Sequence, residues 1–224
     1  MIVEIGERLE IARESQITLF VNEVPLRIMC TPKDIEDLVV GFVISEGLAK
    51  SLDEFEYSIC AYGVTVVVES KIPPVEVRSS GCIGVYRQNE KIPEVEAGRK
   101  FKLGDVIEAL QMLDIEEYKR TRGYHVAAVV GDDVHLRYDV GRHTAVDKAI
   151  GAALKAGEDL RKSFLILSGR ISRGIAMKCV RSGIPLVASK AAILDSALEV
   201  CKLSGLSAVS TATNIAYVGK ALEV

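Results

Sequence analysis

The sequence predicts an α/β protein with a large lobe over residues 101–224 and a smaller, β-rich lobe over residues 1–100. Strand-like and helix-like segments alternate through the second half, which is typical of a largely parallel sheet with helices on its faces. The first half instead contains several short strand-like runs and one helix pattern. With 224 residues, 49% of them hydrophobic, the chain can bury one sizeable core or two small ones.

The N-terminal lobe is predicted to begin with a β-hairpin. Two strand-like runs, residues 16–21 and 24–30, meet at the turn-prone pair Asn22-Glu23, and Pro25 places the second strand at an edge. Residues 31–34 then predict a helix start, with a threonine N-cap, a proline at the first helical position and an acidic first turn. Further strands are expected at residues 57–61, 64–68 and 75–77.

The large lobe is predicted to start with a helix from residue 103 to about residue 113, opened by a capping box at residues 105–108. The charged segment 114–121 is expected to be solvated. Strands are expected at residues 125–130, 134–138, 164–167, 184–188, 206–209 and 215–218. Helices are expected after Gly141, over residues 171–183, and after Ser189-Lys190, which is predicted to cap the last one.

Two of the strand-to-helix corners are basic. The first, residues 141–148, contains Arg142, His143 and Lys148, and the second, residues 168–174, contains Arg170 and Arg173. Such a corner directs free backbone N–H groups and the positive end of a helix dipole at one spot, which suits an anion. The alternative is that these are ordinary helix-end charges, since strand-glycine-helix corners are common in α/β folds. The glycine spacing of the second corner does not make a phosphate loop, because Ile175-Ala176 stands where a Lys-Ser/Thr pair is required.

Composition excludes several classes of protein. The net charge of −3 argues against a general nucleic-acid binder. The acidic start lacks the features of a signal peptide, and no apolar run approaches the roughly 18 residues of a membrane helix, so a cytoplasmic location is expected. Five cysteines, at positions 30, 60, 82, 179 and 201, form neither a C-x-x-C pair nor a zinc-ligand spacing, which favours free thiols.

Cys82 is the candidate reactive thiol. It lies between Gly81 and Ile83-Gly84 on a polar loop, where Arg78 and Arg87 can lower its pKa towards the thiolate. From the residues alone, an incidental thiol in a loop is the favoured interpretation, because reactivity depends on the surroundings of the thiol. The other four cysteines fall on strand-like or helix-like segments and are interpreted as small core or half-buried residues.

Several blocks of the chain resemble the FdhD family, the formate dehydrogenase accessory sulfurtransferases. They are residues 139–151, 168–174 and 183–190, and the likeness extends to residues 22–25, 31–32 and 41–47 near the start. The resemblance implies that Cys82 takes sulfur as a persulfide. The family's loop usually holds Cys-x-x-Cys, and here Val85 stands where the second cysteine would be.

The resemblance also implies a cofactor site and a fold. The family binds the guanine dinucleotide form of molybdenum cofactor, so the molybdenum (or tungsten) bis(guanine dinucleotide) cofactor is expected as cargo, with no resident metal. Its large lobe is similar to the three-layer cytidine deaminase fold, although the zinc deaminase signature is absent from this chain. The expected contacts are Arg142, His143, Lys148, Arg170, Arg173, Lys190, Ser210, Thr211, Ala212, Thr213 and Asn214. The loop 210–214 lacks the arginine and glycine of the usual pattern and is shorter.

The implied function is sulfur transfer. A cysteine desulfurase would load Cys82, and the sulfur would pass to the cofactor before its insertion into formate dehydrogenase; a homodimer is expected. The alternative is a cofactor-binding chaperone without sulfur chemistry, which the missing second cysteine favours. His125 starts a strand where the family has a glycine-histidine pair, here separated by Tyr124, and can either face the sulfur chemistry or be structural.

Overall fold

The computed structural model describes residue 6 and residues 9–60, 63–69, 75–77, 83–85 and 91–224. The strands are β1 Ser15–Val21, β2 Val24–Cys30, β3 Phe55–Cys60, β4 Gly63–Val68, β5 Val75–Val77, β6 Ile83–Val85, β7 Phe101–Lys102, β8 His125–Val130, β9 Val134–Asp139, β10 Phe164–Leu167, β11 Leu186–Ser189, β12 Ser207–Ser210, β13 Ile215–Tyr217 and β14 Leu222–Glu223. The helices are α1 Ile35–Ser45, α2 Leu103–Ala109, α3 Glu116–Thr121, α4 Arg142–Lys155, α5 Arg173–Ser182 and α6 Asp195–Ser204. None of the helices in these ranges is long and apolar enough to cross a membrane.

The first half of the chain forms a four-stranded sheet in the order β2-β1-β4-β3. The predicted hairpin of β1 and β2 is confirmed, and Asn22 and Glu23 at its turn have φ angles of 44° and 70°. These left-handed conformations match the twist of a two-residue hairpin loop. Pro25 lies on β2 at the edge of the sheet, as predicted, so its missing N–H does not interrupt a central ladder.

Helix α1 lies between this sheet and α4. Residues 37–45 are all buried, because the helix is apolar on nearly every side. The predicted threonine N-cap is wrong: the N-cap position is Asp34, at φ 54° and without a side-chain cap. Thr31 is unavailable to α1, because its amide donates to Asp139 and its hydroxyl accepts from the amide of Val140.

The second half forms a six-stranded sheet in the order β13-β12-β11-β10-β8-β9. The prediction of a largely parallel sheet is wrong, because only the pairings of β10 with β11 and of β11 with β12 are parallel. The hairpin of β8 and β9 places β8 antiparallel to β10, and β13 returns antiparallel to β12. The sheet therefore contains both parallel and antiparallel pairs, and the fold is a mixed α/β fold.

Both faces of the six-stranded sheet are covered. Helices α4, α5 and α6 pack on one face through residues such as Val146, Ile175 and Val200. On the other face lie α2, the 3₁₀ turn Leu110–Leu113 and the short pair of β7 with β14. The order of layers is therefore four-stranded sheet, α1, the α4–α6 layer, six-stranded sheet, and the α2 layer.

Two helix predictions need correction, and one helix was not predicted. Helix α2 starts at Leu103 with no side-chain cap, so the capping box at residues 105–108 is not used, and the helix tightens into a 3₁₀ turn after Ala109. The solvated segment 114–121 contains α3, an exposed helix with a Glu116–Lys119 ion pair of 2.8 Å. Helix α6 starts at Asp195, because the Ser189 hydroxyl donates to the carbonyl of Gly169 instead of capping a helix.

Helices α1 and α4 approach each other closely at two glycines. A Cβ built on Gly41 would lie 1.7 Å from the carbonyl oxygen of Asp147, and one built on Gly151 would lie 1.9 Å from that of Asp37. Real Cβ atoms do not make such contacts with backbone. The two helices can therefore cross at this distance only because both positions are glycine.

A buried ionic cluster joins α1, α4 and α5 beside this crossing. The Lys178 ammonium lies 2.6 Å from Glu46 Oε1 and 2.7 Å from Asp147 Oδ1, and it donates to the Ser45 hydroxyl at 2.9 Å. Arg181 contacts the other oxygen of Glu46 at 3.4 Å. Burial raises the pKa of the Asp147 carboxyl, although Lys178 opposes that shift. Each carboxylate thus has a cation beside it, as buried charges require.

We expect Gly151→Ala to destabilise the fold, although alanine is the better helix former. The added methyl group collides with the backbone of α1, and overpacking of this kind costs about 1–3 kcal/mol. Urea unfolding measures the loss. The matched control is Gly104→Ala in α2, where an added Cβ meets nothing within 4 Å. The control should be as stable as the wild type or slightly more so. Equal stability of both variants would contradict the close approach of α1 and α4 at Gly151.

Candidate functional site

The predicted binding residues converge on one edge of the six-stranded sheet. Strands β9, β10, β11 and β12 all end at this edge, which we call the carboxyl edge, and β8 begins there. Four strand spacings of about 4.8 Å separate β9 from β12, so the edge is roughly 19 Å long. Backbone hydrogen bonds tie its segments together, since Lys190 N donates to Leu167 O and Thr211 N donates to Ser189 O.

The two basic corners are in contact. A Cβ built on Gly169 would lie 3.1 Å from Arg142 Cβ and 3.3 Å from Arg142 Cδ. The Arg142 side chain therefore runs directly past the residue that precedes Arg170. The first and second corners, which are about thirty residues apart in sequence, form a single basic surface at the carboxyl edge.

The helices that start from these corners leave their N-termini without acidic residues. Neither α4 nor α5 has an aspartate or glutamate in its first turn, and the N-cap positions Gly141 and Ser172 make no side-chain cap hydrogen bond. By contrast, α1, α3 and α6 each carry at least one acidic residue in the first turn. The carboxyl edge thus combines two positive helix ends with cationic side chains, which favours an anionic ligand.

Asp139 is the buried anchor of the first corner. Its Oδ1 accepts from Gly141 N at 2.8 Å and from the Thr144 hydroxyl at 2.6 Å. Its Oδ2 accepts from the Lys148 ammonium at 2.6 Å and from Thr31 N at 3.0 Å. Both oxygens of this fully buried carboxylate are therefore used to fix the end of β9 and the first two turns of α4.

The predicted site residues differ in their exposure to solvent. Arg170 and Arg173 are exposed, and Arg142 is half-buried. The structure places Lys148 differently from the sequence-based expectation, because its side chain is wholly buried and donates to Thr31 O and Asp139. His143 is buried in the first turn of α4, with 3% of its surface exposed. In this conformation Lys148 shapes the corner from inside, and direct ligand contact by Lys148 or His143 stays a prediction.

Lys190 and the loop 210–214 complete the far end of the edge. Lys190 Nζ lies 2.8 Å from Asp114, so the ammonium is already paired at the surface. The hydroxyl of Ser210 donates to Ala191 O and accepts from Thr213, which ties the loop to the segment after β11. Ala212, Thr213 and Asn214 are exposed at the end of β12. The loop is in position for a ligand that extends along the edge.

His125, the first residue of β8, lies between the two corners. Its Nδ1 would be 3.3 Å from a Cβ on Gly169, and its strand partner in the register of β8 and β9 is Asp139. Burial lowers the pKa of the imidazole, and the nearby charges of Arg142 and Arg170 lower it further against the opposing effect of Asp139.

Asp139 is a site residue that the sequence analysis did not identify. Its position at the end of an apolar strand was the available signal, because a carboxylate that is buried there requires a partner.

The described cysteines separate into buried and exposed thiols. Burial raises the pKa of Cys30 to about 11 and that of Cys201 to about 11, and it also raises the pKa of Cys179. These three are poor nucleophiles. The interpretation of Cys60 as a core or half-buried residue is wrong: it is exposed at the end of β3, where its thiol lies 3.4 Å from Gly63 O. Cys82, Arg78 and Arg87 lie outside the described residues.

Comparison with known sequences points to one family. The FdhD/NarQ family model matches residues 12–218. The sulfur carrier protein FdhD of Methanothermobacter thermautotrophicus is 30% identical over 197 residues, which cover 81% of this chain and 76% of that relative. The protein of the same name from Shouchella clausii is 30% identical over 226 residues, covering 91% of this chain and 85% of that relative.

The fold is similar to that of a solved structure. It is the crystal structure of a protein from Desulfotalea psychrophila described as a formate dehydrogenase accessory protein. The TM-score is 0.73 at 22% identity, and the match covers 89% of this chain and 83% of the other. The mixed α/β architecture is therefore shared.

We expect Asp139→Asn to destabilise the protein by about 3–5 kcal/mol, because removal of one partner leaves the buried Lys148 ammonium uncompensated. Urea unfolding is the measurement. Asp114→Asn serves as the control, since it breaks the ion pair of Asp114 with Lys190 at the surface, where such pairs contribute little. Adding Lys148→Met to Asp139→Asn should restore part of the loss. A loss as small as that of the control would show that Lys148 is not held as a buried cation.

Proposed function

Because the chain belongs to the FdhD/NarQ family, we propose that it is a sulfur carrier for formate dehydrogenase. In this proposal a cysteine desulfurase loads Cys82 with persulfide sulfur. The protein then passes that sulfur to the molybdenum (or tungsten) bis(guanine dinucleotide) cofactor, which is its cargo. The names of the relatives support the sulfur-carrying role, and the carboxyl edge supports the cofactor-binding role.

The observation that carries the proposal is the contact between the two basic corners. Arg142 passes directly beside Gly169, the residue before Arg170, so cationic residues of both corners lie at the same stretch of the edge. Arginine is suited to this task because its planar fork binds phosphate oxygens in pairs. The corners, the adjacent helix N-termini and the loop 210–214 lie along the same edge of the sheet, which supports binding of an extended, doubly charged pyrophosphate there.

The proposed sulfur step is an exchange between two thiols. The Cys82 thiolate attacks the outer sulfur of the desulfurase persulfide; a new S–S bond forms, the old one breaks, and the desulfurase leaves as a thiolate. The cysteines with raised pKa values are unsuited to this attack, since they hold their protons at neutral pH. The strand that follows Cys82, β6, lies beside β2, whose end is tied to Asp139 through Thr31.

A cofactor-binding chaperone without sulfur transfer is the second candidate. One observation favours it: Val85, which stands where the family usually has its second cysteine, lies within β6 and is paired with Val75 of β5. A second thiol at this position would be part of a strand ladder. The chaperone alternative requires the basic corners but not the thiol.

Further features belong to the same proposal. We propose that residues 101–224 form a three-layer, cytidine deaminase-like large lobe and that residues 1–100 form the smaller β-rich lobe. The protein acts as a cytoplasmic homodimer that meets a cysteine desulfurase and formate dehydrogenase in turn. The sulfurtransferase activity uses a cysteine persulfide and no resident metal.

We expect Cys82→Ala to abolish sulfur loading. The wild-type protein, incubated with a cysteine desulfurase and labelled cysteine, should gain one sulfur atom by mass spectrometry, and the variant should gain none. Cys60→Ala is the matched control, because Cys60 is the exposed cysteine among the described residues. The control should load like the wild type.

Loading of the Cys82→Ala protein would overturn the carrier assignment, and loss of loading in the Cys60→Ala protein would move it to Cys60. A formate dehydrogenase activation assay then separates the two candidate functions. The sulfur carrier predicts that Cys82→Ala fails to activate the enzyme, whereas the chaperone predicts full activation.

We expect Arg142→Ala and Arg170→Ala each to weaken the binding of guanosine diphosphate roughly ten- to hundredfold, because hydrogen bonds to charged groups contribute about 1.5–3 kcal/mol. Isothermal titration calorimetry measures the dissociation constants. The control is Arg161→Ala: Arg161 lies just before β10, at the opposite end of that strand, and pairs with Asp159 at 3.0 Å. If all three variants bound equally, the carboxyl edge would not be the nucleotide site.

A further inference from the structure

His125 occupies a place that the proposed function does not use. It is the first residue of β8, the strand between β9 and β10, and so lies between the end of the strand that leads to Arg142 and the end of the strand that leads to Arg170. Its Nδ1 faces Gly169 on the same side as the Arg142 side chain. His125 is half-buried rather than enclosed, so part of the residue is accessible to solvent.

The charges around His125 are mostly positive. Arg142 comes from α4, Arg170 from the segment after β10, and Asp139 from β9. Both oxygens of Asp139 already accept hydrogen bonds from the first corner and from Thr31. In the free protein, burial and the two arginines lower the pKa of His125 from its ordinary value of 6.5, which disfavours the charged ring.

The other two histidines have different surroundings. His135, near the start of β9 and therefore at the opposite edge, lies 3.5 Å from the carboxylate of Glu158. His143 is on α4, one residue after Arg142, and is almost fully buried. His125 is thus the histidine that combines solvent access with a position between two cationic corners.

We propose that His125 is a binding residue for the pyrophosphate of the ligand and takes up a proton from solvent when that pyrophosphate binds between Arg142 and Arg170. The inference rests on the proposed function, because it needs the anion to lie at the carboxyl edge. It adds a proton-linked contact to the two arginines. The ligand class is a pyrophosphate diester, as in a nucleotide-linked cofactor.

The physical reason is that the anion reverses the local electrostatics. A pyrophosphate placed between the arginines neutralises the charges that disfavour the imidazolium, and its oxygens accept a hydrogen bond from the charged ring. The pKa of His125 then rises above its value in the free protein, and binding becomes coupled to protonation. Affinity therefore increases as the pH falls between the bound-state and free-state pKa values, by up to about tenfold per pH unit.

The same coupling favours release of the ligand at higher pH. At a pH above the pKa that His125 has in the complex, the ring returns to the neutral form and the additional contact is lost, while both arginines stay charged. The cargo is then held less tightly without any change in the fold. An all-arginine site would lack this dependence because arginine does not titrate in this range.

The experiment uses diguanosine 5′,5′-diphosphate as the probe. Its pyrophosphate is a diester and does not titrate near neutrality, whereas a terminal phosphate has a second pKa of about 6 and would contribute its own protons. Calorimetry in two buffers with different ionisation enthalpies gives the number of protons taken up on binding. We expect uptake of a substantial fraction of one proton at neutral pH by the wild type and by His135→Gln, and none by His125→Gln.

NMR of the wild-type protein gives a second measurement that does not depend on the folding of the variant. The chain has three histidines, so the His125 ring signal is assigned by elimination with His135→Gln and His143→Gln. Its pKa should lie below the ordinary value without the probe and rise when the probe is added. The His125→Gln protein should bind the probe with an affinity that no longer changes between pH values on either side of neutrality.

Four results would overturn the inference. Uptake that persists in His125→Gln, uptake that is lost in His143→Gln instead, or a His125 pKa unchanged by the probe would each exclude His125 while leaving the arginine site intact. Absence of any binding to the wild type would overturn the nucleotide site itself, and this inference with it. The Arg142→Ala and Arg170→Ala proteins distinguish these cases, since weakened binding in them shows that the probe occupies the carboxyl edge.

Discussion

The buried ion pair of Asp139 with Lys148 is the constraint on which the site depends. Neither side chain is exposed to solvent, and their atoms approach to 2.6 Å. A buried pair of this kind adds little net stability, since desolvation offsets most of the attraction, but it fixes geometry because neither charge can be left alone. Here it fixes the end of β9 against the second turn of α4, which sets the direction in which Arg142 leaves the corner.

The same carboxylate connects the two halves of the chain. Thr31, directly after β2, donates its amide to Asp139 and accepts from Lys148 and from the amide of Val140. Two further contacts reinforce this junction: the crossing of α1 and α4 at Gly41 and Gly151, and the Lys178 cluster. Thr31 therefore holds the end of β2 to the first corner, while the crossing and the Lys178 cluster hold α1 to α4 and α5.

Local patterns predicted most elements but not the long-range bonds. The hairpin at Asn22-Glu23, the strand-to-helix corner at Gly141 and the helix end at Gly205 follow from turn chemistry and apolar periodicity, and each is present. The N-caps assigned to Thr31 and Ser189 are wrong because each residue bonds to a segment that is distant in sequence. A serine or threonine before a helix has several possible partners, and the sequence does not show which one is near.

The site residues were predictable as a class, but their roles required the structure. Cationic residues at glycine corners indicate an anion site. Lys148 and Arg142, six residues apart, nevertheless have different places: the buried Lys148 supports the corner from within, and the half-buried Arg142 forms part of its face. The distinction comes from Asp139, which demands a buried cation. Once Lys148 satisfies Asp139, the half-buried Arg142 and the exposed Arg170 form the face of the proposed anion site, with His125 between them.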